Sequence, residues 1–220
     1  MPMKNRLFLL AITLAFGAAG CSPEDTTEAP AGAVPPPPAA EAPAAPTTPR
    51  AEVATPATAQ AGQGAAGGLL WSVPDHWQTE GQRPMRVATY RTPAAEDDPD
   101  PGEVAVFYFG PTEGGTVDAN VDRWFGQFDQ ADGRPTREVA ERESTEIAGM
   151  SVTLVRAAGT YNAAAGPMAP RADLRPGYRL IGAIVEGPEG AVFFKFTGPE
   201  QTVADEEAHF LAMIESIDQP

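Results

Sequence analysis

From Ser22 to Gly68 the chain has no aromatic residue and consists almost entirely of Ala, Pro, Thr, Gly, Glu and Gln. Those 47 residues offer too little apolar area to offset the entropy of ordering a backbone, so any hydrophobic core must come from the residues after Gly68. The run Pro35-Pro36-Pro37-Pro38 favours locally extended polyproline geometry, and Gly62 to Gly68 is expected to be flexible. A random coil of that length has an r.m.s. reach of about 40 Å. Segment 21–68 is therefore expected to be a disordered tether, and segment 69–220 a single globular domain.

The stretch from Leu69 to Pro220 holds 152 residues, including all three tryptophans and all four tyrosines. That is the usual size of one domain, enough to bury roughly 68–70% of the surface of its unfolded chain. The whole chain has 15 basic and 30 acidic residues. Leaving out Lys4, Arg6 and Arg50, with Glu24, Asp25, Glu28, Glu41 and Glu52, the domain keeps 12 against 25, a net of −13. This excess argues against nucleic acid and against docking on anionic lipid heads, and it suits a basic or polar partner.

Apolar patterning predicts a short strand from Leu69 to Val73 ended by Pro74, and an alternating strand from Met85 to Tyr90. Val104 to Phe109 is apolar on both faces, as in a central strand covered on both sides. Val117, Val121, Trp124, Phe125 and Phe128 fall on one face of an amphipathic helix, with Thr116 as its N-cap. Arg137 to Ile147 and Met150 to Ala157 read as two strands joined around Ala148-Gly149, and a loop is expected from Tyr161 to Gly177. Tyr178 to Val185 and Ala191 to Phe196 form the clearest hairpin, turning at Gly187-Pro188-Glu189-Gly190. A last helix is expected to start near Thr202, with Asp205 in capping-box position, and to bury Val203, Phe210, Leu211, Ile214 and Ile217.

Hairpins imply antiparallel pairing, so the expected class is α+β, an antiparallel sheet flanked by helices. Three blocks carry a resemblance. They are Trp71-Ser72-Val73-Pro74 with Trp77, Gly114-Gly115 through Asn120 to Trp124, and Gly177 to Pro199 ending in Phe193-Phe194-Lys195-Phe196-Thr197-Gly198-Pro199. Together with the order of elements they resemble the PsbP-like fold, a group of accessory modules that includes small bacterial lipoproteins. The resemblance implies a fold and an accessory role, and it supplies no catalytic residue.

Ahead of the tether, Lys4 and Arg6 precede an uncharged apolar stretch from Leu7 to Gly20, and Ala18-Ala19-Gly20 leads into Cys21, the only cysteine. A basic start, an apolar stretch and small residues are the parts of an export signal. The cysteine directly after them resembles the lipobox of bacterial lipoproteins, with Ala18 where that family usually has Leu. The resemblance implies a signal peptide over 1–20, cleavage before Cys21, and lipid on its sulfur and new amino terminus. Fourteen apolar residues fall short of the ~20 that a spanning helix needs. Ser22, where enterobacteria use Asp to retain a lipoprotein in the inner membrane, favours the outer membrane by analogy.

Candidates for chemistry are few. His76 lies in a loop between Asp75 and Trp77, and His209 lies beside the apolar face of the last helix, so zinc would need both histidines plus carboxylates from unrelated places. Ser72, Ser144, Ser151 and Ser216 lack the Gly-x-Ser-x-Gly elbow. Gly67-Gly68 and Gly114-Gly115 match neither a phosphate loop nor a dinucleotide fingerprint. The loop from Glu96 to Glu103 has an Asp98-x-Asp100-x-Gly102 spacing but not the further ligands of a calcium loop. Asn120 and Trp124 suit either core packing or one wall of a ligand pocket. Arg83, Arg86 and Arg91 suit either an anion site or pairing with nearby carboxylates.

No catalytic, cofactor or metal residue is therefore assigned. The expectation is a lipid-anchored envelope protein whose head is a non-enzymatic, protein-binding or accessory module with an envelope partner. Two alternatives stand beside it, a small-ligand-binding lipoprotein and a hydrolase using a carboxylate pair. A deep pocket lined by Trp124 and Tyr161 would favour the ligand reading, and a cleft with two carboxylates of raised pKa the hydrolase.

Overall fold

The computed structural model describes residues 62–81, 83–162 and 173–220. The export signal, Cys21 and the tether up to residue 61 lie outside them. Side chains alternate across a strand, and in this chain that alternation separates two different environments. Along β10 (Gly190–Pro199), Val192, Phe194 and Phe196 enter one hydrophobic cluster, while Phe193 enters a second on the opposite face. β9 (Leu174–Gly187) does the same, with Ile181, Ala183 and Val185 on the first side and Tyr178, Leu180 and Ile184 on the second. Strands covered on both faces read as near-continuous apolar runs, which is how these two appear.

The other strands of the sheet are β3 (Gln78–Thr79), β4 (Ala88–Arg91), β5 (Glu103–Tyr108), β6 (Phe128–Asp129), β7 (Glu141–Ile147) and β8 (Met150–Asn162). Among the described residues the spatial order is β3-β4-β5-β10-β9-β8-β6, with β7 also paired to β8, and every pairing is antiparallel. α1 (Val117–Phe125) packs on the second face, through Val121, Trp124 and Phe125. α2 (Glu200–Glu215) covers the first face, through Val203, Phe210, Met213 and Ile214. The class is α+β, an antiparallel sheet flanked by helices.

The fold begins earlier than expected. β1 (Gln63–Ala66) pairs with β2 (Leu69–Ser72) around Gly67-Gly68, so the last residues of the predicted tether belong to a hairpin. Composition pointed to a flexible end because β1 is only Gln, Gly and Ala. Gly64 is what admits it: a Cβ there would lie 2.2 Å from the Trp71 indole, so the bare backbone is laid against that ring. Trp71 is 2% exposed and donates its indole N–H to the Tyr90 hydroxyl at 3.0 Å.

Several boundaries also differ. Met85 lies in a turn at φ 65°, and the strand starts at Ala88. Residues 136–138 form a 3-10 turn before β7, and the expected loop from Tyr161 to Gly177 is entered by both β8 and β9. α1 is capped by the Thr116 hydroxyl, which accepts from the Ala119 N–H, but it ends at Phe125 and leaves Phe128 to β6. α2 starts at Glu200 without a capping box. Asp98, from the acidic loop, accepts from the Thr202 backbone N–H at 2.7 Å and from its hydroxyl at 2.6 Å. A carboxylate favours the positive end of a helix wherever in the chain it comes from.

Candidate functional site

α1 covers only part of the second face. Between it and β5, β10, β9 and the end of β8 lies a groove of about 1060 Å³, lined by Trp124, Asn120 and Arg123 of the helix and by Phe107, Phe193 and Tyr161 of the strands. That is ample for a small ligand. Its floor follows from two small residues. Lys195 of β10 is paired with Ala105 on one side and Gly182 on the other, so neither neighbour fills the space beside it. Trp124 is packed over Gly182, where a Cβ would fall 2.4 Å from the indole.

Lys195 therefore stands in the floor of an aromatic recess. Its ammonium donates to Gln127 Oε1 at 2.6 Å and to the Tyr161 hydroxyl at 3.1 Å, and lies 5.1 Å from the centre of the Tyr161 ring. Some of the residue stays open to solvent, but protein surrounds its charged end, and no carboxylate among the described residues is in ion-pair contact with it. Burial, reinforced by the nearby positive charges of Arg86 and Arg123 and partly offset by Glu103, lowers its pKa to about 7. Desolvation disfavours the charged form of an amine, which is the direction seen. Burial also pushes the Tyr161 hydroxyl up.

The walls are aromatic and the rim is basic. Phe107 and Phe109 stack at 6.2 Å, Phe109 meets Phe193 at 5.8 Å, and Tyr161 stacks on Tyr178 at 5.9 Å. Around these stand Arg86, Arg91, Arg123 and Arg175, with Lys195 in the floor below them, against Asp100, Asp122 and Glu103. The groove is thus locally basic in a chain of net charge −15.

Of the alternatives left open by sequence, Asn120 and Trp124 do both things at once. Asn120 is 2% exposed and ties the loop to the helix by donating to the Gly114 and Thr116 carbonyls, while the same face of α1 forms one wall of the groove. Arg83, Arg86 and Arg91 pair with carboxylates: Arg86 holds Glu103 at 2.9 Å, Arg91 holds Glu80 at 2.7 Å, and Arg83 reaches both acids. In the acidic loop Asp98 caps α2, Asp100 accepts from the Tyr178 hydroxyl at 2.8 Å, and Glu103 serves arginines, so these acids point to separate partners. Ser144 and Ser151 sit on the paired strands β7 and β8, while Ser216 accepts from the Ser72 backbone N–H. Sequence reasoning passed over Lys195, although a lone charge in the run Phe193-Phe194-Lys195-Phe196 is the signal that could have found it.

His76 and His209, which no spacing in the sequence links, lie together, with ring centres 4.5 Å apart, and both face Glu206.

No family model matches the chain, and no curated protein matches it. Solved structures similar to it include PA94, a protein of unknown function from Pseudomonas aeruginosa, at 11% identity and a TM-score of 0.42 over 69% of this chain and 91% of that one. CyanoP, the cyanobacterial PsbP of Synechocystis, is similar at 12% identity and a TM-score of 0.41, over 70% and 88% of the two chains. LpqN of Mycobacterium tuberculosis, involved in cell envelope biogenesis, is similar at 13% identity and a TM-score of 0.42, over 69% and 83%. A PsbP protein is thus among the structures similar to this chain.

Proposed function

We propose that this protein is a lipid-anchored accessory module of the bacterial envelope whose head holds, without turning over, a small ligand with an apolar body and an acidic group. The observation that carries the ligand is Lys195. Buried charges are normally paired, and this one has only neutral hydrogen-bond partners at the floor of an aromatic groove. A carboxylate, sulfonate or phosphate entering beside it supplies the missing counter-ion in a partly dehydrated site, where such a bond is strong. The aromatic walls hold the apolar body, and Arg123 at the exposed rim adds positive charge. Trp124 and Tyr161 line the same groove, which favours the ligand reading over a purely protein-binding head.

The envelope address and the anchor rest on the leader pattern before Cys21. Absence of turnover is part of the proposal, and screening against hydrolase substrates tests it.

Anilinonaphthalene sulfonate, an aromatic body with one anionic group, is a direct probe. It is expected to bind the full chain saturably and one-to-one, with dodecanoate displacing it. Lys195→Met should weaken binding about tenfold, the worth of one charge-assisted hydrogen bond. Because the anion favours protonated Lys195, affinity should also fall as pH rises through about 7. Non-saturable binding, or equal and pH-independent binding by wild type and Lys195→Met, would overturn the reading.

A further inference from the structure

On the opposite face, the turn between β2 and β3 meets α2. Glu206 and His209 are three residues apart on the helix and so share one side of it. His76 reaches the same point from a turn closed by the Trp77 N–H to the Pro74 carbonyl. His76 Nε2 lies 2.9 Å from Glu206 Oε2, and His209 Nδ1 lies 3.1 Å from the same oxygen. One ligand atom from each of the three residues falls within 4.8 Å of the others.

We propose that His76, Glu206 and His209 form a binding site for a zinc-type divalent cation, which clamps the turn before β3 to α2. Imidazole and carboxylate donors suit zinc and its first-row neighbours far better than calcium or magnesium. In tetrahedral zinc sites nitrogen and oxygen ligands lie about 2.0–2.2 Å from the metal. Ligand atoms around such an ion are therefore about 3.3–3.6 Å apart, so the imidazole nitrogens, now 2.9 and 3.1 Å from the carboxylate, need to move only slightly to admit it.

The arrangement is crowded at one atom. Glu206 Oε2 faces His76 Nε2 and His209 Nδ1, and it also accepts from the Trp77 indole N–H at 2.7 Å. A cation replaces the two imidazole contacts with bonds to one centre and leaves the Trp77 bond in place. That bond then acts as the outer hydrogen bond that orients a ligating carboxylate.

Exposure shows where the remaining coordination goes. The Glu206 side chain is 11% exposed, whereas those of His76 and His209 are 41% and 52% exposed. The carboxylate forms the inner wall and the two rings the mouth, so solvent completes the coordination from outside. Three protein ligands leave the fourth position of a tetrahedral ion to solvent. The site lies on the α2 face of the sheet, away from Lys195, so zinc binding here does not depend on the groove.

The test uses the full chain in detergent, carrying Cys21→Ser so that its thiol cannot compete for metal. Zn²⁺ is titrated calorimetrically with excess Mg²⁺ present, and Co²⁺ is added in parallel to read its visible d–d bands. The expected result is saturable one-to-one zinc binding, cobalt bands of low-coordinate N/O ligation, and a melting temperature that rises with free zinc. His76→Gln and His209→Gln, both at exposed positions, should each lose more affinity than the about 10–100-fold cost of removing an outer hydrogen-bond partner. No saturable zinc binding would overturn the proposal. So would one-to-one binding that survives in either histidine variant, because the site requires both.

Discussion

Lys195 sits between Ala105 and Gly182, and that local arrangement makes its energetics testable. Its pKa falls from 10.5 to about 7 on folding. Between those values the unfolded chain binds a proton that the native state does not, so this group makes stability rise with pH across the window. Below about pH 7 the penalty is fully present, and above about pH 10.5 it is gone. A tenfold change in proton affinity is worth about 1.4 kcal/mol, so the whole effect is at most about 4–5 kcal/mol. Lys195→Met removes the penalty together with the bonds to Gln127 and Tyr161. Urea unfolding at several pH values is expected to show the variant gaining most on wild type near pH 6 and losing that advantage by pH 10. A difference independent of pH would show that the ammonium is solvated in the native protein.

Among elements, β1 and α2 each depend on a residue distant in sequence or unremarkable by itself. β1 has no apolar side chain larger than Ala, and it holds its place by backbone pairing and by lying against Trp71 through Gly64. A head beginning at Leu69 would uncover part of an indole that is now 2% exposed. It is expected to be less stable than a head beginning at Gly62 by about 1–3 kcal/mol, on the scale of burying one large apolar side chain. Equal urea midpoints for the two would show that the hairpin adds nothing to the domain. α2 illustrates the same dependence, since Asp98 caps it from 104 residues away.

For the whole molecule, the two faces of one sheet are put to different uses. The α2 face is closed, packed around Trp71, Phe196 and Phe210, with Arg156 and Arg179 both clamping Glu207 at its edge. The α1 face is left partly open. Among the described residues no helix is long and apolar enough to cross a membrane. The proposed anchoring rests on the leader pattern before Cys21, which lies outside those residues. Cys21→Ser is expected to abolish labelling by a palmitate analogue and to move the protein from the membrane fraction to the soluble one. Label or membrane retention persisting in the variant would refute the anchor.

Periodicity and composition by themselves determined the class of fold, the strong hairpin of β9 and β10, the Thr116 cap and the apolar face of α1. These are local properties, set by which side chains recur every two or every 3.6 residues. The start of the domain escaped because the fitness of Gly64 for its place lies in the ring of Trp71, not in any propensity of its own. Lys195 reads as a stray charge until Ala105 and Gly182 are seen beside it and Trp124 above it. His76 and Glu206 are 130 residues apart, and nothing in the spacing of either predicts a shared site. Only the tertiary structure could decide these points, because a recess or a cluster is made by which elements become neighbours, and antiparallel pairing brings together residues that the sequence keeps far apart.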